Sequence, residues 1–512
     1  MIELDGSNLT INEVVNVARY RQPVTLAEAG YQHIKEGRKR LDEIISRGEP
    51  VYGINTGFGV FADQRIPAKD LAQLNRNLVL SHAVGTGDPL TEEVVRAAMV
   101  VRANTLTKGY SGVRVEVVET LIDMLNRQVT PVVPSQGSLG SSGDLCPLSH
   151  LALVFTTDDE DREEDSGMAW YIGEKMTGRR AMQLAGIRRI HLGAKEGLAI
   201  NNGATFSAAI AALAVDKAEY MIEIADIATA LSLEAMVGCS SAFDPRIQLV
   251  RGHEGQITVA RKVMCYIEGS TLVDSFGRIQ DAYSLRCAPQ VQGAARDTFG
   301  FVRKTVQTEV NAAIDNPLIF ENSQALSGGN FHGEPIGMAM DFLGIAIAEV
   351  AAISERRVFR LVDSRLNGGL PTMLVDHQEA AGLNSGLMMP QYTAASLVLE
   401  NQTLATPDSV RSLPTSAEQE DHNANSMTAA RHAQQIIENT THVLAIELYT
   451  AARAIDLRLR RNPNASLGIG TRAVYEQIRE VVPYQAGDAW WGPEIQKVRD
   501  LLDNRSISPA CL

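Results

Sequence analysis

The chain has 512 residues, of which 45% are hydrophobic and 21% charged, and its formal net charge is −14. This length exceeds what one hydrophobic core usually serves, so we expect two or more structural regions with an ordinary globular composition. The acidic balance argues against nucleic acid as a main partner, because no basic stripe offsets it.

The N-terminal residues, the most apolar stretch and the cysteine pattern together predict a cytoplasmic protein without a membrane partner. The N-terminus, MIELDGSNLT, has neither the basic start nor the apolar core of a secretory signal. The most apolar stretch, LGIAIAEVAAI at 343–353, is interrupted by Glu349 and falls short of the roughly 20 residues that cross a bilayer. Five scattered cysteines without a C-x-x-C pair are typical of reduced thiols.

Along the chain, the residue composition changes near Gly203. Residues 1–203 are punctuated by Gly and Pro and predict a loop-rich N-terminal region. Residues 204–512 contain long Ala-rich segments with apolar residues three and four apart, which predict a helical bundle. These segments are 204–237, 331–361, 387–405 and 424–458. The sequence therefore predicts a mainly α-helical protein with two regions, 1–203 and 204–512.

An acidic segment, DDEDREED at 158–165, interrupts the N-terminal region. A run of like charges usually forms a solvated loop, and we expect that here. A lid over the mouth of an active site is the alternative. The residues alone do not choose between the two.

The segment GSLGSSGDLCPLSH at 137–150 contains the most distinctive chemistry. The amide nitrogen of Gly143 can attack the carbonyl carbon of Ser141 and close a five-membered ring. Loss of water from this ring and from the Ser142 side chain would leave an electron-poor alkene. Proteins otherwise obtain such electrophiles from cofactors. Taken alone, however, Gly, Ser and Asp also describe a tight turn.

Seven further segments in a fixed order resemble the histidine ammonia-lyase family, within the wider group of aromatic amino-acid ammonia-lyases and aminomutases. They are VYGINTGFGVFA (51–62), LVLSHAVGTGDPL (78–90), KEGLAINNGA (195–204), QDAYSLRCAPQ (280–290), DNPL (315–318), SGGNFHGEP (327–335) and SLPTSAEQEDHNANSM (412–427). The resemblance covers most of the chain. It implies that ammonia is removed from L-histidine to give trans-urocanate, through a methylidene-imidazolone group formed from Ser141, Ser142 and Gly143.

The same resemblance assigns catalytic roles. Tyr52 is similar to the family's general base, and it would otherwise be a packing residue. Asn202 is similar to the asparagine that hydrogen-bonds the ring carbonyl. Tyr283 would support the electrophile and share a helical face with Arg286, three residues later. Two more residues would shape the electrophile's pocket, namely Gln280 and Phe331.

Another set would bind the substrate. Ser81 and His82 occupy the position at which the family separates histidine from tyrosine and phenylalanine, and a polar imidazole suits a histidine side chain. Glu420 resembles the carboxylate that contacts the substrate imidazole, with Met388 packed beside it. Arg286 resembles the clamp for the substrate carboxylate, because a guanidinium binds carboxylates in a bidentate manner. Without the resemblance, His82 would be a core histidine and Glu420 a surface charge.

One departure and several alternatives remain open. Ser141 stands where the family normally has Ala, so the ring would carry a hydroxymethyl substituent. The alternatives are a tyrosine or phenylalanine ammonia-lyase, a 2,3-aminomutase, and a non-catalytic helical oligomer that lacks the electrophile. We expect no metal site, because H-E-x-x-H and paired Cys/His spacings are missing. The resemblance also implies a homotetramer with active sites shared between chains.

Overall fold

The structure, a computed structural model, describes residues 1–508, and it is mainly helical as predicted. It contains two compact units that alternate along the chain. Unit 1 comprises Met1–Asp216, Val302–Asp341 and Pro407–Arg431, and unit 2 comprises Lys217–Phe301, Phe342–Thr406 and the chain from His432 onward. The division into residues 1–203 and 204–512 stays a prediction, because compactness divides the chain at other points.

Unit 1 combines short helices with small sheets. Its helices are Ile11–Arg19, Glu28–Arg47, Leu71–His82, Glu92–Thr107, Val115–Asn126, Leu145–Phe155, Gly178–Leu184 and Glu196–Asn201. Its strands are Ile2–Leu4, Val24–Leu26, Thr86–Pro89, Val129–Pro131, Pro134–Gln136, Thr156–Thr157, Met168–Tyr171, Glu174–Thr177, Ile190–His191, Leu318–Phe320 and Gln324–Leu326. The largest sheet is antiparallel, in the order Val129–Pro131, Met168–Tyr171, Glu174–Thr177.

The long helices appear where the Ala-rich segments predict them. They are Thr205–Ala235, Glu334–Val362, Met388–Leu404 and Ser426–Arg461. A further helix of 22 residues, Ala288–Glu309, was not predicted. The remaining helices of unit 2 are Pro245–Arg251, Glu254–Tyr266, Tyr283–Arg286, Ile469–Val481 and Trp491–Asp503.

The interior of unit 2 combines apolar packing with one buried ion pair. Its apolar cluster contains Ala351, Val358, Ala394, Val398, Val443 and Ile446. Beside it, the guanidinium of Arg357 donates to both carboxylate oxygens of Glu447, and neither side chain is exposed. Ser232 and Ser354 also donate to this carboxylate, each at 2.6 Å. A buried carboxylate with so many donors fixes how the helices that carry them align.

The apolar stretch around 343–353 belongs to a helix that extends beyond it on both sides. Glu334–Val362 has 29 residues and is apolar over much of its length, so its length and composition alone would allow it to cross a bilayer. The expectation that this stretch is too short was therefore wrong. However, 67% of its most apolar part is buried inside the chain, as in the core helix of a globular protein.

The cysteines differ in state. Cys146, Cys239 and Cys287 are free, as expected. Cys265 is disulfide-bonded, so the expectation of reduced thiols was wrong at that position. Cys511 lies outside the described residues.

The acidic segment 158–165 is largely exposed to solvent, as expected, and two arginines of unit 1 anchor it. Arg76, in the helix Leu71–His82, donates to the Asp158 carboxylate at 3.2 Å and to the carbonyl of Asp165 at 2.9 Å. The buried guanidinium of Arg189 binds the carboxylate of Asp161. Sequence charge predicts the exposure of this segment, but it does not predict these anchoring partners, which are distant in the sequence.

Candidate active site

The three residues predicted to form the electrophile, Ser141–Gly143 (the electrophile segment), lie in unit 1, just before the helix Leu145–Phe155. Gly143 has a φ of +75° and forms a parallel β-bridge with Gly203. A Cβ on Gly143 would lie 2.0 Å from the carbonyl carbon of Gly203. Only glycine combines this backbone conformation with so close an approach. The segment is therefore more constrained than an ordinary surface turn.

Two hydrogen-bond donors converge on the carbonyl oxygen of Ser142. The side-chain amide of Asn202 donates to it at 2.9 Å, and the backbone N–H of Gly203 donates at 3.1 Å. Such a pair of fixed donors withdraws electron density from the carbonyl. The sequence predicts Asn202 in this position. It gives no signal for the Gly203 N–H, because a backbone donor has no residue type to recognise.

Buried charges hold these donors in place. Arg102, which is fully buried, donates to the carbonyl of Ile200 at 2.9 Å and to that of Asn202. Burial lowers the pKa of Arg102 to about 10, although Asp315 and Asp144 act in the opposite direction. Asp144 follows the electrophile segment and accepts from Ser207 N at 2.8 Å, while burial raises its pKa. Sequence reasoning missed Arg102, since an arginine within a helix is usually a surface residue.

Glu420 binds both serines of the segment. The Ser141 hydroxyl donates to Oε2 of Glu420 and the Ser142 hydroxyl donates to Oε1, each at 2.6 Å. Backbone hydrogen bonds of 2.8 Å and 3.2 Å between Thr415 and Glu420 close the turn that presents this carboxylate. The structure therefore brings Glu420 to the electrophile segment, although it lies 278 positions after Ser142 in the sequence.

Tyr52 and His82 lie near the same carboxylate, and burial moves their titrations in opposite directions. The Tyr52 hydroxyl accepts from Gly59 N at 3.4 Å. Burial raises the pKa of Tyr52, and the charge of Glu420 raises it further. Burial lowers the pKa of His82, although Glu420 opposes this effect. Ser81 Oγ lies 3.0 Å from His82 Nδ1, so the two residues form one polar pair.

A cavity of about 620 Å³ connects these groups. Its polar lining includes Tyr52, Ser81, His82, Ser142, Asn202 and Glu420. Apolar side chains complete it, namely Phe58, Leu74, Leu78, Leu145 and Leu198. A second cavity, of about 610 Å³, also reaches Ser141 and Ser142 and is lined by the predicted residue Phe331. An apolar hollow with a few convergent polar groups is the usual form of a small-molecule site.

Four predicted residues belong to unit 2 instead. Arg286 donates to the side-chain oxygen of Gln280, and its guanidinium lies 5.9 Å from the centre of the Tyr283 ring. Tyr283 is 74% exposed and Met388 is 38% exposed. The close placement of Tyr283 and Arg286 follows from their spacing, whereas the roles of all four residues stay predictions. Among residues 1–508, no cluster of three or more His, Cys, Asp or Glu side chains could hold a metal ion.

Comparison with known proteins identifies the family. The sequence profile of aromatic amino acid lyases matches residues 9–480. The chain belongs to the aromatic amino acid lyase family. Histidine ammonia-lyase of Caldanaerobacter subterraneus subsp. tengcongensis is 49% identical, over 94% of this chain and 92% of that enzyme. The resemblance inferred from the ordered segments is thus confirmed.

Solved structures share the whole fold. The crystal structure of histidine ammonia-lyase from Trypanosoma cruzi is 36% identical, with a TM-score of 0.89, over 99% of this chain and 94% of that one. Tyrosine aminomutase from Streptomyces globisporus is 34% identical, with a TM-score of 0.92, over 99% and 97%. Because lyases and aminomutases share one fold, the choice of reaction depends on the site.

Proposed function

We propose that this enzyme removes ammonia from L-histidine without an oxidant, giving trans-urocanate, through a methylidene-imidazolone group that it forms from Ser141, Ser142 and Gly143. The observation that carries the proposal is the cavity in which the Ser142 segment meets both His82 and Glu420. A polar imidazole and a carboxylate suit an imidazole substrate, whereas a phenyl ring would leave them unpaired.

The residues present fit that group. Ring closure requires the Gly143 nitrogen to approach a carbonyl, and the backbone at Gly143 has the left-handed conformation that glycine allows. The ring carbonyl would be that of Ser142, which already receives hydrogen bonds from Asn202 and Gly203. When formed, the group supplies an electrophile for the substrate amine, which is otherwise a poor leaving group.

Side chains of unit 1 abstract the substrate proton and bind the substrate imidazole. Tyr52 takes the β-proton of the substrate as the general base. His82 is kept neutral by burial and hydrogen-bonds the imidazole together with Glu420. Because burial and Glu420 both raise the pKa of Tyr52, its reactive phenolate is the minor form near neutral pH. The proposal also includes a cytoplasmic location.

Arg286 would clamp the substrate carboxylate, and Tyr283, Gln280 and Met388 would complete the site from a neighbouring chain of a homotetramer. Two features of unit 2 support this assembly. Tyr283 and Met388 are exposed in the single chain. Large apolar side chains of the helices, including Phe342, Tyr392 and Leu399, are exposed as well, and such surfaces are typical of subunit interfaces.

The likeness to tyrosine aminomutase makes a tyrosine or phenylalanine lyase or aminomutase the second candidate. A retained but inactive scaffold is the remaining alternative. Parallel assays separate them: the purified enzyme is incubated with L-histidine, L-tyrosine or L-phenylalanine, ultraviolet absorbance follows the unsaturated acid, and amino-acid chromatography detects any β-amino acid. We expect urocanate from histidine. Cinnamate, coumarate or a β-amino acid as main product would contradict the substrate assignment.

The chemistry has its own test. Ser142→Ala should abolish turnover, because the side chain that becomes the alkene is missing, while the protein keeps its size and its circular dichroism spectrum. The intact mass of the wild type should be lower than the sequence mass by two water molecules, and that of Ser142→Ala should not show the second loss. Near-normal activity of Ser142→Ala would rule out the proposed electrophile.

A further inference from the structure

Ser141 makes a contact that the family's usual alanine could not make. Its side chain is only 6% exposed, and its hydroxyl donates to Oε2 of Glu420 at 2.6 Å. The Ser142 hydroxyl occupies the other oxygen, Oε1, at the same distance. In the unreacted chain, therefore, each carboxylate oxygen of Glu420 is bound by a different serine.

Formation of the electrophile changes these two contacts unequally. The Gly143 nitrogen bonds to the carbonyl carbon of Ser141, and that carbonyl oxygen leaves as water. Ser142 then loses its α-hydrogen and its hydroxyl as a second water, so no oxidant is needed. The hydroxyl of Ser141 takes no part in either step. Maturation thus removes the donor at Oε1 of Glu420 and keeps the donor at Oε2.

We propose that Ser141 is a positioning residue for substrate recognition: its hydroxyl holds Oε2 of Glu420, so that Oε1 is presented to the substrate imidazole once Ser142 has been dehydrated. This inference rests on the proposed histidine substrate. Ser141, which replaces the family's usual alanine, would then contribute to the substrate specificity of this enzyme.

The surroundings of Glu420 explain why a side-chain anchor matters. Its backbone is fixed by the two hydrogen bonds to Thr415. The nearby residues 416–418 all have positive φ, which places each of them in the small left-handed region of backbone conformations. The remaining freedom is that of the side chain, and a glutamate loses substantial rotamer entropy when it is ordered. An anchor present before the substrate arrives reduces the cost of ordering Glu420 on binding.

Binding to inactive enzyme tests the inference without turnover. L-Histidine is titrated calorimetrically into Ser142→Ala, which keeps the Ser141 anchor and leaves Oε1 free. Because a hydrogen bond to a carboxylate is lost, we expect the Kd to be about tenfold higher for Ser141→Ala/Ser142→Ala. The Ser141→Thr/Ser142→Ala variant keeps a hydroxyl and should restore the affinity. When Glu420→Ala is added to each protein, the effect of Ser141→Ala on the Kd should vanish.

The single variant Ser141→Ala then separates positioning from maturation. We expect its intact mass to retain the two-water loss, and its KM for L-histidine to rise about tenfold with a much smaller change in kcat. If Ser142→Ala and Ser141→Ala/Ser142→Ala bind L-histidine with equal affinity, the inference is overturned, even if the wild type makes urocanate. Loss of the two-water signature in Ser141→Ala would overturn it too, by assigning the hydroxyl to ring formation. Absence of both urocanate formation and histidine binding would instead overturn the proposed function.

Discussion

At the scale of single residues, one carboxylate organises the site. Glu420 binds both serines of the electrophile segment, and its charge acts on the titration of Tyr52 and His82. Sequence resemblance could name all of these residues, because each lies in a distinctive segment. It could not give the contact between Ser141 and Glu420, since the family's alanine offers no precedent. Nor could it give the Gly203 N–H, because backbone donors occur in every residue type except proline and leave no sequence signal.

The pKa of Tyr52 leads to a prediction about pH. Burial and Glu420 favour the neutral phenol, whereas the proposed role as general base requires the phenolate, so the reactive fraction would increase with pH below the pKa of Tyr52. We therefore expect kcat/KM of the wild type to rise between pH 7 and 9, by up to about tenfold per pH unit. Tyr52→Phe should lower kcat by at least about a hundredfold. Because the substrate amine also titrates, the residual pH profile of Tyr52→Phe is the control. A flat wild-type profile would contradict the role of Tyr52 as a base that must first lose its proton.

At the scale of secondary structure, local patterns predict some elements and miss others. Long alanine-rich segments predict helices because helix propensity and period agree there. Ala288–Glu309 escapes this reasoning, since Pro289, Gly293 and Gly300 weaken its helical pattern. The structure explains Gly293: a Cβ there would lie 2.6 Å from Cα of Gln256, so the glycine allows two helix backbones to approach closely.

For the acidic segment 158–165, too, local sequence patterns do not show which distant residues bind it. These contacts lead to a prediction about stability. The side chain of Arg76 is 3% exposed and donates to Asp158, Thr156 and the Asp165 carbonyl. Arg162 is 53% exposed and pairs with Asp165 and Glu160 within the segment itself. We expect Arg76→Met to lower the free energy of unfolding by about 1–3 kcal/mol, because the buried Thr156 hydroxyl and two partly buried partners lose their donor. The control Arg162→Met should change it by less than about 1 kcal/mol.

Chemical denaturation followed by circular dichroism measures both free energies. The two variants remove the same charge from the surroundings of the same segment, so net charge does not distinguish them. Similar small changes in both would contradict the role of Arg76 as an anchor of this exposed segment. A large change in Arg76→Met alone would support its role in fastening the segment to the helix that also carries Ser81 and His82.

At the scale of the whole molecule, the predicted site residues are divided between the two units. Tyr52, His82, Ser142, Asn202 and Glu420 lie in unit 1, whereas Gln280, Tyr283, Arg286 and Met388 lie in unit 2. The sequence predicts both sets, but it cannot tell which chain of an oligomer supplies each. If neighbouring chains share their sites, a chain with a substitution in unit 1 and a chain with a substitution in unit 2 can together form an intact site.

Co-expression of Ser142→Ala chains with Arg286→Ala chains tests this directly. Each variant alone should be inactive or nearly so, because one lacks the proposed electrophile and the other lacks the proposed carboxylate clamp. In randomly mixed tetramers, roughly a quarter of the sites would combine an intact Ser142 from one chain with an intact Arg286 from another, so about that fraction of wild-type activity should return. Co-expression of Ser142→Ala with Glu420→Ala is the matched control, since both changes affect unit 1 and no mixture should restore a site. Equal, negligible activity in both mixtures would mean that each chain builds its own site.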